Sequence, residues 1–198
     1  MKTPRERLQF KFLMIGNTGV GKTSLIRRLC LDQFTENFNA TVGVEFMVYK
    51  TEINNTKIQL HIWDTAGQEQ YRALGRAYYN GSIGVLLVFS MDNHDSFSSL
   101  ENWMADVQKF LQPQVRILLV CNKSDLNDKR EVTSAEIDNF CRVHGIECIS
   151  TSAKLNTNVA EAFNKAARSV LQGLITNEIK LPGSGYDIAS SSDNPRCC

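Results

Sequence analysis

Little in this chain marks it for secretion, for a membrane span or for nucleic acid. No apolar stretch follows Met1-Lys2-Thr3-Pro4-Arg5-Glu6, so no secretory signal is expected. The longest apolar run, Ile83–Phe89, includes Gly84 and is too short to cross a bilayer. Position 2 is Lys where N-myristoylation needs Gly. Net charge is only +1, without the basic excess of a nucleic-acid-binding domain. Zinc spacing is absent as well: Cys30, Cys121, Cys141 and Cys148 sit singly in apolar segments and read as small buried hydrophobes. With no secretory signal, the sequons at Asn39, Asn54 and Asn80 read as chance matches.

What is present is an ordinary globular composition, 42 % hydrophobic and 22 % charged over 198 residues. That length buries roughly 70 % of the unfolded surface without disulfides. It predicts one domain, residues 8–174, and a flexible tail, residues 175–198. From about Ile175 the periodicity stops. Pro182, Gly183, Ser184, Gly185, Ser190, Ser191, Ser192 and Pro195 dominate the remainder. The tail's charged residues from Glu178 to Arg196 sum to −1.

Strands and helices alternate along the domain. Phe10–Ile15 reads as a buried strand leading into a Gly-rich turn, and Ser24–Leu31 as a helix. Asp32–Gly43 has no clean period and reads as a loop. Val44–Ile53 and Lys57–Asp64 are strand-like, split by the hairpin signal Asn54-Asn55. Within the second, His61 falls on the polar side of the alternation and reads as a solvated strand residue. Ile83–Ser90, Val115–Cys121 and Ile146–Ser150 are continuous apolar runs, the pattern of parallel strands covered on both faces. Phe97, Leu100, Met104, Val107 and Leu111 predict one helix ending near Pro113. Thr133 with Glu136 is a capping box for a helix stopped at Gly145. Val159, Phe163, Ala167, Val170 and Leu174 predict the last helix. This alternation predicts an α/β fold, a mostly parallel six-stranded sheet with helices on both faces. Right-handed crossovers gather the post-strand loops at one edge.

Four motifs fall in those loops. Gly16-Asn17-Thr18-Gly19-Val20-Gly21-Lys22-Thr23 is a complete G-x-x-x-x-G-K-[ST] after a strand and opening a helix. Its glycines let backbone N–H groups wrap phosphates at a helix N-terminus. Lys22 supplies a point charge to the phosphates, and Thr23 an oxygen for Mg²⁺. Asp64-Thr65-Ala66-Gly67-Gln68 closes a strand, with Asp64 near the Mg²⁺ shell, Gly67 offering an N–H to a γ-phosphate and Gln68 able to orient water. In Asn122-Lys123-Ser124-Asp125, the Asp125 carboxylate matches the N1–H and 2-amino donors of guanine, whereas adenine presents an acceptor at N1. Ser152-Ala153-Lys154 follows the last strand, where the Ala153 N–H can donate to guanine O6.

On these motifs the chain resembles a Ras-type small GTPase over roughly Phe10–Leu174, and within that superfamily it is most similar to the Rab proteins. Thr41-Val42-Gly43-Val44-Glu45-Phe46 is similar to the Rab switch I segment. Trp63–Glu69 and Tyr78–Ser82 are similar to switch II, and Cys197-Cys198 resembles a prenylated Rab ending. The resemblance implies a Ras-like P-loop fold that binds GTP and GDP with Mg²⁺, hydrolyses GTP slowly and switches membrane traffic. It implies that Thr18, Gly19, Val20, Gly21, Lys22, Thr23 and Ser24 hold phosphates, with Phe34 edge-on to the base and Lys123 along its face. Thr41 is implied as a ligand of Mg²⁺ and of the γ-phosphate. Phe46, Trp63 and Tyr78 fall where Rab proteins carry an aromatic triad read by effectors. Implied partners are an exchange factor, a GTPase-activating protein, a GDP-dissociation inhibitor, a prenylation escort protein and effectors. A monomeric G domain, anchored by lipid to the cytoplasmic face of an intracellular membrane with a cytosolic pool, completes the expectation.

Three departures stand out. Thr18 occupies a position that is Gly in Ras and often Ser in Rab proteins, in keeping with slow intrinsic hydrolysis. Gln70 and Asn80 stand where Arg is common, and both bear on which regulators bind. Two rival readings are a module that holds nucleotide without turnover and a nucleotide kinase. Gln68, Thr41 and Asp64 speak against the first. Two loops committed to the base, leaving no acceptor site or lid, speak against the second.

Overall fold

Ten residues of one strand pair antiparallel with ten of the next because the two turn residues between them, Asn54 and Asn55, both adopt left-handed backbone (φ 50° and 61°). Asparagine tolerates that conformation, and two successive left-handed residues match the natural twist of a hairpin. The computed structural model describes residues 7–36, 44–65 and 79–181. In chain order it runs β1 (Leu8–Ile15), α1 (Lys22–Leu31), β2 (Val44–Ile53), β3 (Thr56–Thr65), β4 (Gly84–Ser90), α2 (His94–Ser98) and α3 (Leu100–Phe110). Then follow β5 (Arg116–Asn122), α4 (Ser134–His144), β6 (Glu147–Ser150) and α5 (Val159–Ile175).

The six strands form one sheet in the order β2-β3-β1-β4-β5-β6, parallel except for the β2–β3 hairpin. Alternation along the central strands sorts side chains to two faces. Phe10, Phe12, Met14, Leu86, Val88, Leu118 and Val120 join one core with α1 and α5. Leu13, Ile15, Val85, Leu87, Phe89, Leu119 and Cys121 join the other with α3 and α4. Burial on both faces explains the unbroken apolar runs of β4 and β5. From β1 the chain returns on one side of that strand, and from β4 it continues on the other. The carboxyl ends of β1 and β4 therefore flank the reversal point where α/β sheets open a crevice.

The expected architecture holds, with three local corrections. The helix expected across Phe97–Leu111 is two helices interrupted at Ser99. The Ser99 hydroxyl donates to Asp95 O at 2.8 Å, offering the backbone a competing partner. His61 is half-buried instead of solvated, with its ring 5.5 Å from that of Phe46 and its Nε2 2.8 Å from Gln59 Nε2. Among the described residues only Cys121 is a fully buried cysteine; Cys30, Cys141 and Cys148 are half-buried. The Thr133–Glu136 capping box is complete, and Gly145 (φ 63°) ends α4 as expected. Among the described residues, no helix is long and apolar enough to cross a membrane.

Candidate functional site

β1 delivers the chain into the Gly-rich turn through a gap that admits no side chain. A Cβ on Gly16 would lie 2.0 Å from Val88 O of the neighbouring strand. Gly21, in left-handed backbone at φ 94°, stands directly before α1 and supplies no side-chain cap. A Cβ there would meet Asn122 Nδ2 at 2.4 Å. The first-turn N–H groups of α1 thus point at the sheet edge without a side-chain acceptor at the cap, which suits an anion.

Lys22 folds back under this turn. It is 6 % exposed, and its ammonium donates to Gly16 O at 2.8 Å and Asn17 O at 2.9 Å. Burial pushes its pKa down to about 8, against the pull of Asp64. Thr23 Oγ1 donates to Asp64 Oδ2 at 2.5 Å, bringing together side chains 41 positions apart. Asp64 is 1 % exposed, and its Oδ1 is buried with no hydrogen-bond partner. Burial raises its pKa to about 6 despite that hydroxyl and Lys22. A buried carboxylate oxygen left unmatched beside a threonine hydroxyl is a costly arrangement in isolation. It is also the oxygen donor set that a hard divalent cation takes. The residues present fit Mg²⁺.

Behind Lys22, Thr18 and Gly19 are exposed at the crest of the turn, Val20 is buried and Ser24 half-buried. Phe34 is half-buried, with the Arg28 guanidinium 5.9 Å from its ring centre. The loops after β5 and β6 interlock beside it. Ser124 N donates to Thr151 O at 3.0 Å, and Ser152 Oγ donates to Asp125 Oδ1 at 2.5 Å. Ser152 Oγ in turn accepts from Leu155 N at 3.0 Å. Ala153 is buried, its carbonyl accepting from Arg28 Nε at 3.0 Å. Lys154 is exposed and reaches Glu36 Oε1 at 2.6 Å. Asn122 is a brace: its Nδ2 donates to Val20 O at 2.8 Å and its Oδ1 accepts from Thr151 Oγ1 at 3.2 Å. It ties the Gly-rich turn to both base-side loops.

Sequence reading missed two members of this neighbourhood. Asp92, after β4, lies 3.4 Å from Lys123 Nζ and accepts from the Ser90 hydroxyl. Lys123 itself sits in left-handed backbone at φ 60°. Trp103 of α3 donates through Nε1 to Asn17 Oδ1 at 2.8 Å. No local signal marks either pairing. Phe46 (48 % exposed) and Trp63 stack edge-on, ring centres 5.3 Å apart, with Lys11 Nζ 4.7 Å from the Trp63 ring centre. Thr41, Gly67, Gln68, Tyr78, Cys197 and Cys198 lie outside the described residues.

Comparison with known proteins gives the same orientation. The Ras family model matches residues 11–172. The chain is 42 % identical over 162 residues to Ras-related protein Rab-13 of Mesocricetus auratus, covering 82 % of this chain and 80 % of that one. Against Ras-related protein Rab-13 of Bos taurus it is 41 % identical over 192 residues, covering 95 % of each. Ras-related protein Rab-2B of Dictyostelium discoideum is 39 % identical over 176 residues, covering 89 % of this chain and 87 % of its own.

Proposed function

The chain belongs to the Ras family, in its Rab branch, and from that footing we propose the part each residue plays. It is a Rab-like small GTPase, a GTP hydrolase acting in vesicle trafficking. The N-terminus of α1 and the Gly-rich turn cradle the β- and γ-phosphates, which replace the carbonyls of Gly16 and Asn17 as partners of Lys22 in part. Thr23, Asp64 and Thr41 hold Mg²⁺, which when bound supplies positive charge against the phosphate oxygens. Asp125 reads the guanine N1–H and 2-amino donors, Ser152 fixes that carboxylate, and the Ala153 N–H faces O6. Phe34 and Lys123 line the base.

Gln68 orients the attacking water in line with the γ-phosphate, while Lys22 neutralises charge that grows in the transition state. Thr41 and Gly67 contact the γ-phosphate and lose that contact on its release, which is the switch. Phe46, Trp63 and Tyr78 present the state to effectors. An exchange factor, a GTPase-activating protein, a GDP-dissociation inhibitor and an escort protein act on the same cycle. Cys197 and Cys198 carry two prenyl groups, because one lipid binds a membrane only marginally and the tail has no basic patch to help it.

The observation that carries this reading is the buried Thr23–Asp64 pair with its unmatched Oδ1 beside Lys22. The deciding measurement is competition of GTP against ATP for the purified chain with Mg²⁺, followed by single-turnover phosphate release. Strong preference for GTP with slow release supports the reading. Equal binding of ATP, or tight GTP binding without any release, overturns it.

A further inference from the structure

One arginine at the far end of the phosphate-binding helix is tied to the base-side loop as well as to its own helix. Arg28 lies in the last turn of α1, six residues after Lys22, with its side chain 15 % exposed. All three guanidinium nitrogens are bonded. Nε donates to Ala153 O at 3.0 Å and Nη2 to Lys154 O at 3.3 Å, carbonyls 125 and 126 positions away. Nη1 donates to Asp32 O at 3.1 Å and to Asp32 Oδ1 at 2.9 Å. The same guanidinium stands 5.9 Å from the ring centre of Phe34, within cation–π range.

A basic residue in the last turn of a helix ordinarily complements the helix dipole, and an i,i+4 pair with an exposed acid adds little. Arg28 and Asp32 make such a pair, its acid 79 % exposed. That role uses Nη1 alone. The other two nitrogens reach consecutive carbonyls of a distant loop, a grip that needs the planar fork of arginine. Asp32 is the left-handed residue (φ 53°) that caps α1, its N–H returning to Arg27 O and Arg28 O. It stands two positions before Phe34. One guanidinium therefore joins the turn that delivers Phe34 to the loop that carries the Ala153 N–H. That loop is held from its other side too: Ser152 Oγ donates to Asp125 Oδ1 at 2.5 Å and accepts from Leu155 N at 3.0 Å. A second link across the same gap, Lys154 to Glu36 at 2.6 Å, joins two exposed side chains and is open to screening by salt.

We propose, on the guanine reading given above, that Arg28 is a positioning residue for base recognition: it fixes the Ala153 amide for guanine O6 and seats Phe34 at the same base. The labour is divided between two loops. Asp125, held by Ser152, reads the N1–H and 2-amino side, and Arg28 governs the O6 side. Without the guanidinium, the Ala153 and Lys154 carbonyls are free to turn. The nucleotide itself must then order the amide that meets O6, which lowers affinity. The loss falls on O6 and leaves the 2-amino contact in place.

The test compares the purified full-length parent, Arg28→Met and Arg28→Lys, with Mg²⁺, by competition among nucleoside diphosphates. 6-Thioguanosine diphosphate keeps N1–H and the 2-amino group but carries sulfur, a poor acceptor, in place of O6. Inosine diphosphate keeps O6 and lacks the 2-amino group. The parent is expected to prefer GDP over both. In Arg28→Met the preference over the thio analogue should shrink at least about threefold, while that over inosine diphosphate stays within about twofold of the parent's. GDP should also dissociate several-fold faster. Arg28→Lys keeps the charge and the stem but offers a single nitrogen, so it should show the same selective loss, and it reads the same ratio if Arg28→Met fails to fold. Thio-analogue discrimination equal to the parent's in either variant, or both preferences falling together, would overturn the proposal and leave Arg28 a structural residue. A parent that prefers GDP over ADP but not over the thio analogue would also overturn it, by removing the O6 contact. A parent that binds ADP as well as GDP would instead overturn the guanine reading beneath it.

Discussion

Trp103 and Asn17, 86 positions apart, meet through a 2.8 Å hydrogen bond from the indole Nε1 to the amide Oδ1. The Asn17 amide passes the bond on, donating to Ser99 Oγ at 2.9 Å. The second residue of the phosphate-binding turn is thereby held from α3 and from the break that precedes it. Replacing Trp103 by Phe keeps the ring in the core but removes the donor. Losing a half-buried hydrogen bond of this kind costs about 0.5–1.5 kcal/mol. Trp103→Phe is expected to lower the melting temperature and to speed guanine nucleotide dissociation several-fold. Unchanged dissociation in a destabilised variant would confine Trp103 to packing.

Asp125→Asn is expected to move base preference from guanine toward xanthine. The Asn amide meets the guanine 2-amino group donor to donor and gives up a charge-assisted bond, together about 2–5 kcal/mol. Xanthine carries oxygen at position 2, which the new NH₂ can bond. The Ser152 hydroxyl, now 2.5 Å from Asp125 Oδ1, retains an acceptor in the variant. Competition between GTP and XTP with Mg²⁺ measures the shift. A variant that prefers GTP as strongly as the parent would show that Asp125 does not read the base.

Gln68→Leu is expected to leave GTP affinity nearly unchanged and to slow intrinsic hydrolysis roughly tenfold or more, since only a contact to water is lost. Single-turnover rates within twofold of the parent would assign water positioning to another group.

Acid should loosen α4 first at its cap. Glu136 accepts from the Thr133 hydroxyl at 2.6 Å, the Thr133 N–H at 2.8 Å and His94 Nε2 at 2.9 Å. These donors, the Thr133 hydroxyl foremost, hold its pKa down to about 2. A carboxylate with a depressed folded pKa stabilises the fold above its ordinary value, near 4.5, and that contribution disappears as pH falls toward 2. Glu136→Gln should therefore melt lower than the parent at pH 7, with the gap narrowing below about pH 4.5 and closing only as pH approaches 2. A gap independent of pH between 7 and 3 would mean that packing, not charge, sets it.

Replacing both Cys197 and Cys198 by Ser should leave nucleotide binding intact and move the chain from the membrane to the soluble fraction. Membrane fractionation equal to the parent's would rule out the two-lipid anchor.

Features made by near neighbours in the chain were legible beforehand, because their physics is local. Burial on both faces writes β4 and β5 as unbroken apolar runs, and the hairpin follows from two asparagines that accept left-handed backbone. The Thr133–Glu136 box closes within four residues. Gly16 to Thr23 announces a phosphate cradle because only glycine admits that turn. The helix break at Ser99 escaped because apolar periodicity reports which face is buried and is blind to a hydroxyl competing for a carbonyl.

Pairings across the sheet were decided by tertiary structure alone. Strand order brings Asp92 to Lys123, and the packing of α3 brings Trp103 to Asn17. Each contact depends on the register of strands and the seating of helices, which sum many weak apolar contacts over the whole chain. No residue's own neighbours carry that sum. The chemistry available at each loop was therefore written in the sequence, and the partners that tune it were chosen by the fold.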